Sequence, residues 1–317
     1  MKKFIFLKLI LIMSTFVYSA FYYIPEFGDV LGVGGCGAVS TDSQSIFYNP
    51  AGLAGVSKNP EAFFSYNKHL VTEGVDINIY HLGFAYPVKF GFITNKRVGG
   101  RYKRYIVPVK FTFGVGSYGL DVNDGLYKEN VYILSFAVRN DFRIGRFKQY
   151  LLTGINLKFL SLSYGKDDYT QIDPVFNSGY SKYSYTADLG FIYGFAKNLN
   201  FGLSLLNIIP TDFGLKDKED LKLATSFAVR YRIYNTEILT EVKLRDKFED
   251  FAVGIRQNLL NNNLKLSLGV NTTQVNFALG YKFLMSKNFI IQPTYTLSYP
   301  YYMSTSGTHN IVIKIKW

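Results

Sequence analysis

The chain has 317 residues, one cysteine, three histidines and a formal charge of +12, with 28 Phe, 26 Tyr and 28 Gly. One cysteine excludes an intramolecular disulfide framework, and no stretch beyond the amino terminus reaches the roughly 18 apolar residues of a membrane-spanning helix. Hydrophobicity spread this thinly among aromatics and glycines suits short alternating strands with aromatic girdles.

Lys2 and Lys3 precede an apolar run from Phe4 to Val17 broken only by Lys8. Val17-Tyr18-Ser19 then offers small residues at the positions a signal peptidase reads, the layout of a secretory signal peptide. Residues 1–20 are therefore read as a leader cut after Ser19 or Ala20, and its loss lowers the formal charge to +9.

Residues 21–59 read as a segment apart. Gly32, Gly34, Gly35 and Gly37 permit positive φ and close backbone approach, Asp42 opens a polar turn, and Asn49-Pro50-Ala51-Gly52 forces a second turn. The pattern Gly34-Gly35-x-Gly37, Asp42, Tyr48-Asn49-Pro50-Ala51-Gly52-Leu53-Ala54 resembles the amino-terminal signature of FadL-like outer-membrane barrels and their PorV/PorQ-type relatives. The resemblance implies a barrel of about fourteen strands with residues 21–59 as a plug inside it. Two departures stand out: Cys36 replaces a small apolar residue, and the chain is short for a FadL transporter, which points toward the PorV/PorQ side. Cys36 reads as a buried, inert thiol, since Glu26 and Asp29 separate it from the leader's apolar run and so exclude lipoprotein processing. Gly32-x-Gly34-x-x-Gly37 spells a dinucleotide fingerprint, but no strand–helix–strand unit surrounds it.

From Pro60 to Trp317 the sequence alternates with period 2 in fourteen runs. Early runs cover 75–89 and 104–117. The eighth, 220–233, places Leu221, Leu223, Phe227, Val229, Tyr231 and Ile233 on one face, and Lys222, Ala228, Arg230 and Arg232 on the other. Fourteen strands closed on themselves enclose more space than side chains can fill. The fold class is therefore all-β, a transmembrane antiparallel barrel over residues 60–317, with its apolar face toward lipid. Even-numbered strands end in short turns such as Tyr234-Asn235 and Met285-Ser286. Long polar loops at Ser117–Lys128, Tyr164–Lys182 and Asn207–Glu219 mark the other, extracellular end. One connection disagrees: Asn95–Lys103 is long and basic yet falls on the periplasmic side. The last run carries Ile313, Ile315 and Trp317 on one face, which resembles the insertion signal of outer-membrane barrels.

Spacing assembles no serine triad or metal cluster, so neither an enzyme nor a cofactor or metal is expected. Asp167, Asp168 and Asp173 lack calcium-loop spacing and read as a solvated loop. Alternation turns twelve basic side chains inward, among them Lys222, Arg230, Arg232, Arg256 and Lys282, against Asp188 and Glu241. Such a lumen concentrates anions, or its bases satisfy the plug's carbonyls and acids. No nucleic-acid stripe forms. Expected partners are outer-membrane lipid and the barrel-insertion machinery, in a Gram-negative-type outer membrane. Two functions stay open by resemblance: a FadL-like passive transporter of hydrophobic or amphipathic small molecules gated by the plug, or a PorV/PorQ-type component of a secretion or surface-attachment apparatus. An apolar cavity between plug and wall separates them.

Overall fold

A computed structural model describes residues 21, 26–56, 58–72, 75–98, 101–195, 198–245, 247–286, 288–302 and 305–317. The leader expected over 1–20 lies outside the described residues.

Period-2 alternation yields strands because each residue turns its side chain to the face opposite its neighbour's. The strands are β1 (Glu61–Thr72), β2 (Val75–Val98), β3 (Arg101–Val122), β4 (Tyr127–Ile144), β5 (Phe147–Tyr164), β6 (Ser181–Phe195) and β7 (Leu199–Leu206). The chain continues with β8 (Ala224–Ile233), β9 (Thr236–Arg245), β10 (Lys247–Leu259), β11 (Leu264–Val270), β12, β13 (Ile290–Pro300) and β14 (Thr308–Lys316). β12 runs over Gln274–Tyr281 and resumes at Phe283–Leu284, both parts pairing with β13. Lys282, between them, donates its N–H to the Asn263 carbonyl at 2.8 Å.

Each strand pairs antiparallel with the next, and β14 returns to β1 from Glu61↔Lys316 to Lys68↔His309. The sheet therefore closes as a fourteen-stranded barrel among the described residues. Within the barrel wall, closure leaves no unpaired strand edge among the described residues, the condition for a sheet to sit in hydrocarbon. Burial is inverted relative to a water-soluble protein. On β8, Phe227, Tyr231 and Ile233 are exposed while Ala228 and Arg230 are buried; on β12, Phe277 and Leu279 are exposed while Asn276 is buried. Exposed apolar and buried polar residues in alternation mean that the outer face meets lipid. No helix among the described residues is long and apolar enough to cross a membrane.

Three sequence expectations need correction. The connection expected over Asn95–Lys103 is strand up to Val98 and again from Arg101, and the intervening 99–100 lie outside the described residues. Register shows why. The β1 ladder on β2 ends at Ala85 and the β4 ladder on β3 begins at Lys110, so from Phe90↔Val109 to Val98↔Arg101 the two strands pair only with each other. They form a two-stranded ribbon past the barrel rim. The loop expected over Ser117–Lys128 shrinks likewise, because β3 runs to Val122 and a 3-10 turn at Asn123–Gly125 reverses the chain. At β8 the error runs the other way. The strand starts at Ala224, so Leu221 lies in the preceding loop, buried in a cluster with Phe213 instead of facing lipid.

Candidate functional site

Residues 26–56 fill the lumen. Their glycines and single proline, Pro50, prevent a long regular element, so the segment forms α1 (Gly28–Leu31) and two 3-10 helices, Ser43–Phe47 and Pro50–Gly55. Gly34 and Gly35 turn the chain after α1 with φ of +76° and +94°, conformations that favour glycine. Asp42 caps the first 3-10 helix by accepting from the Gln44 N–H at 3.0 Å. Asn49 caps the second by accepting from the Ala51 N–H at 3.1 Å, with Pro50 at the first helical position.

Short helices leave many backbone groups without partners, and buried ones must find them elsewhere. The wall supplies them. Asn310 accepts from the Gly28 N–H at 2.6 Å, Glu241 from Ala38 at 2.8 Å and Glu61 from Ser43 at 3.2 Å. Asn156 donates to the Ile46 carbonyl at 2.8 Å and Ser204 to the Tyr48 carbonyl at 2.6 Å. The Asn49 amide ties plug to wall by donating to Ala38 at 2.6 Å within the plug, and to Phe191 on β6 and Leu203 on β7, both at 3.3 Å.

The plug has an ionic side and an aromatic side. Asp29 pairs with Lys265 at 2.8 Å and Lys314 at 3.3 Å, Asp42 pairs with Lys314, and Glu26 pairs with Lys243. Burial alone would raise the Asp29 carboxyl, but Lys265, Lys314 and Arg256 together outweigh it and hold it well below the usual carboxylate range. Burial likewise raises Asp42, and Lys314 outweighs it, leaving its pKa lowered. Opposite, Phe27 stacks on His81 at 3.9 Å and on Phe63 at 5.4 Å, and Phe47 meets both edge-on. Cys36 is buried among Val33, Ala38, Val39, Ala228, Leu239 and Ala252, and burial, with Glu241 adding, pushes its thiol up.

Among the basic residues expected inside, Arg256 donates to the Asp29 carbonyl at 2.7 Å and to Glu237 at 3.2 Å, and Arg232 also pairs with Glu237. Arg230 is buried, its guanidinium 3.4 Å from the Thr41 hydroxyl. Lys282 is half-exposed at the break in β12. Lys222 corrects the expectation: it precedes β8 in the loop and is exposed, so it shares no strand face with Arg230 and Arg232. Of the terminal residues, Ile313 and Trp317 face outward, and Trp317 stacks on Phe84 at 6.0 Å. Asp167 and Asp173 serve as caps, accepting from Thr170 at 2.7 Å and Val175 at 2.9 Å. No acidic, His or Cys cluster among the described residues could hold a metal.

Sequence reading missed two sets of residues. The first is the acids Glu61, Glu129, Glu237 and Asp250, all buried; Glu237 has the same parity as Glu241 and was legible on that ground. The second is wall glycines. A Cβ on Gly190 would lie 2.0 Å from the Asn49 side-chain oxygen, and one on Gly202 would lie 2.1 Å from the Ala38 carbonyl. Only glycine lets the plug backbone press so closely on β6 and β7.

Two cavities flank the plug and share no lining residue. One, of about 410 Å³, opens toward the short turns and is lined by Asp29, Asp42, Arg230, Arg232, Arg256 and Lys265 among others. The other, of about 60 Å³, faces the long loops beside Glu26, Lys158, Lys243 and Glu249. Charge lines both. An apolar recess, of about 540 Å³, lies on the wall against Val115, Tyr132, Leu134, Leu157, Phe159 and Tyr185, all of them exposed on the outer face.

Fold and site together define a lipid-facing barrel filled by its own amino-terminal segment. No protein-family model matches the chain, and no curated protein matches it. Solved structures do. The toluene transporter TbuX of Ralstonia pickettii is 10% identical over 92% of this chain and 97% of its own, with a TM-score of 0.50. The toluene transporter TodX of Pseudomonas putida is 10% identical over 92% and 98%, also at 0.50. A FadL homologue of Pseudomonas aeruginosa is 11% identical over 92% and 98%, again at 0.50. At such identities the likeness is one of fold. It lies on the FadL side of the resemblance, and the PorV/PorQ side gains no support from it.

Proposed function

We propose that the protein is an outer-membrane channel for small amphipathic or apolar molecules, held shut by its plug. One observation carries the reading: the plug is fastened to the wall by non-covalent contacts, namely hydrogen bonds, ion pairs and aromatic packing, with a cavity at each end, so it can shift without breaking the barrel. The fold shared with two toluene transporters and a FadL homologue supports the same class, and the lipid-facing outer wall supports the location.

The charged linings favour an amphipathic molecule over a plain hydrocarbon. In the larger cavity Lys265 takes Asp29 and, from outside its lining, Lys314 takes Asp42, while Arg232 and Arg256 take Glu237. Arg230 makes no ion pair of its own among the described residues and shares only the field of Glu237, which Arg232 and Arg256 already hold, so an anionic head group fits beside it. The test is flux into liposomes carrying the purified barrel. A long-chain carboxylate should enter faster than into empty liposomes, and Arg230→Gln should slow it several-fold while leaving toluene entry unchanged. Carboxylate entry no faster than into empty liposomes would sink the channel reading; equal slowing of both solutes would sink only the role of Arg230.

A further inference from the structure

At the loop end of the lumen one residue of the amino-terminal region is held on its own. Phe21 is 4% exposed, its ring lies 4.6 Å from that of Phe213 in the loop between β7 and β8, and its backbone nitrogen lies 3.0 Å from Oε1 of Glu129 on β4. Glu129 is 6% exposed and also takes the Tyr127 hydroxyl. Among the described residues no lysine, arginine or histidine pairs with it. A carboxylate buried without a cation is costly. The backbone of Phe21 is equally unusual, since its φ is +57°, a left-handed conformation that aromatic residues avoid.

One event removes both anomalies. We propose that the leader is cut between Ala20 and Phe21 and that the α-ammonium so formed is the counter-ion of Glu129, latching the mature amino terminus to β4 beneath the Phe213 loop. The step is a hydrolysis by a leader peptidase. One water is consumed, the Ala20–Phe21 C–N bond breaks, Ala20 leaves as a carboxylate, and the released amine takes up a proton. The φ angle of Phe21 is defined by the carbonyl carbon of residue 20, so cutting that bond abolishes the strained dihedral. The amide donor at 3.0 Å becomes a cation at the same place, which converts a neutral hydrogen bond into a charge-assisted one. Of the two cut sites that the leader allows, only this one puts the charge on Phe21 itself. The inference rests on the chain being exported. Retention of the leader would defeat both, whereas a mature start at another residue would defeat only the latch.

Two measurements test it. The intact mass of the barrel purified from outer membranes should correspond to a chain starting at Phe21, and a start at Ala20 or elsewhere overturns the proposal whatever any variant does. Aminopeptidase digestion of the purified barrel in detergent then reads the latch. Glu129→Gln keeps the shape and removes the charge, so the amino terminus should be trimmed at least about tenfold faster than in the parent, because breaking a buried pair exposes the end it held. Equal trimming in parent and variant, both showing the heat-dependent gel migration of a folded barrel, overturns the ion pair.

Discussion

At the scale of single residues, Asn49 does more than make a corner. Its oxygen caps the 3-10 helix that follows, and its nitrogen reaches three carbonyls, two of them on the wall. Leucine has the bulk but neither function, and it leaves the buried Ala38 carbonyl without its donor. Loss of the cap costs about 1–2 kcal/mol, and the orphaned carbonyl adds about 1–3 kcal/mol. Asn49→Leu should therefore make residues 26–56 sensitive to limited proteolysis while the barrel keeps its folded migration. An unchanged digestion pattern would mean that the plug is held elsewhere. The turn at Asn49-Pro50 was legible because Asn and Pro act on their own backbone. The wall partners of Asn49 were not, since they lie more than a hundred residues away. Gly190 and Gly202 stayed silent for the same reason: a glycine at an inward position looks like any other until a second backbone is pressed against it.

At the scale of elements, the plug and the β2–β3 ribbon make opposite predictions. Asp29 and Asp42 carry pKa values lowered from the usual 3.8 by lysines of the wall. A depressed carboxyl contributes stability that is present above the unfolded value and lost as pH falls below it toward the folded one. The plug should thus stay docked from neutral pH down to about 4 and loosen only below that. Cys36, the single cysteine, lies within the plug, buried against Ala228, Leu239 and Ala252 of the wall, and reports the change. Reaction with dipyridyl disulfide, which proceeds in acid, should be slow until that threshold. A thiol that becomes reactive already at pH 6 would place control of docking in groups other than these two aspartates. The ribbon holds nothing comparable: past Ala85 and before Lys110 its strands have no neighbour but each other. Deleting residues 90–109 and joining the ends with a short turn should leave insertion and folded migration unchanged. Loss of the folded band would show that the ribbon is needed to assemble the barrel. Alternation gave no warning of its length, because pairing past a rim obeys the same period as pairing within a wall.

At the scale of the whole molecule, closure is the property that everything else depends on. The ladder from Glu61↔Lys316 joins the first strand to the last, and the Trp317 ring covers the seam by stacking on Phe84 of β2. The unheated protein in detergent should migrate faster than the boiled one, as a closed barrel does. Deleting Trp317 should lower the fraction of that fast form severalfold without altering the migration of the barrels that do form. A fraction equal to the parent's would leave the seam without a role for this ring. From the sequence alone came the strand class, the number of strands, the outward apolar face and the place of the plug's turns. Each depends on period-2 spacing or on backbone preferences, which act over a few neighbouring residues. Only the tertiary structure decided which bases face a plug acid, why Lys222 falls outside the lumen, how far β2 and β3 run on together, and that the cavities beside the plug are charged instead of apolar. Those outcomes depend on register and on which distant segments share the lumen, and long-range pairing of that kind leaves no mark in the local pattern.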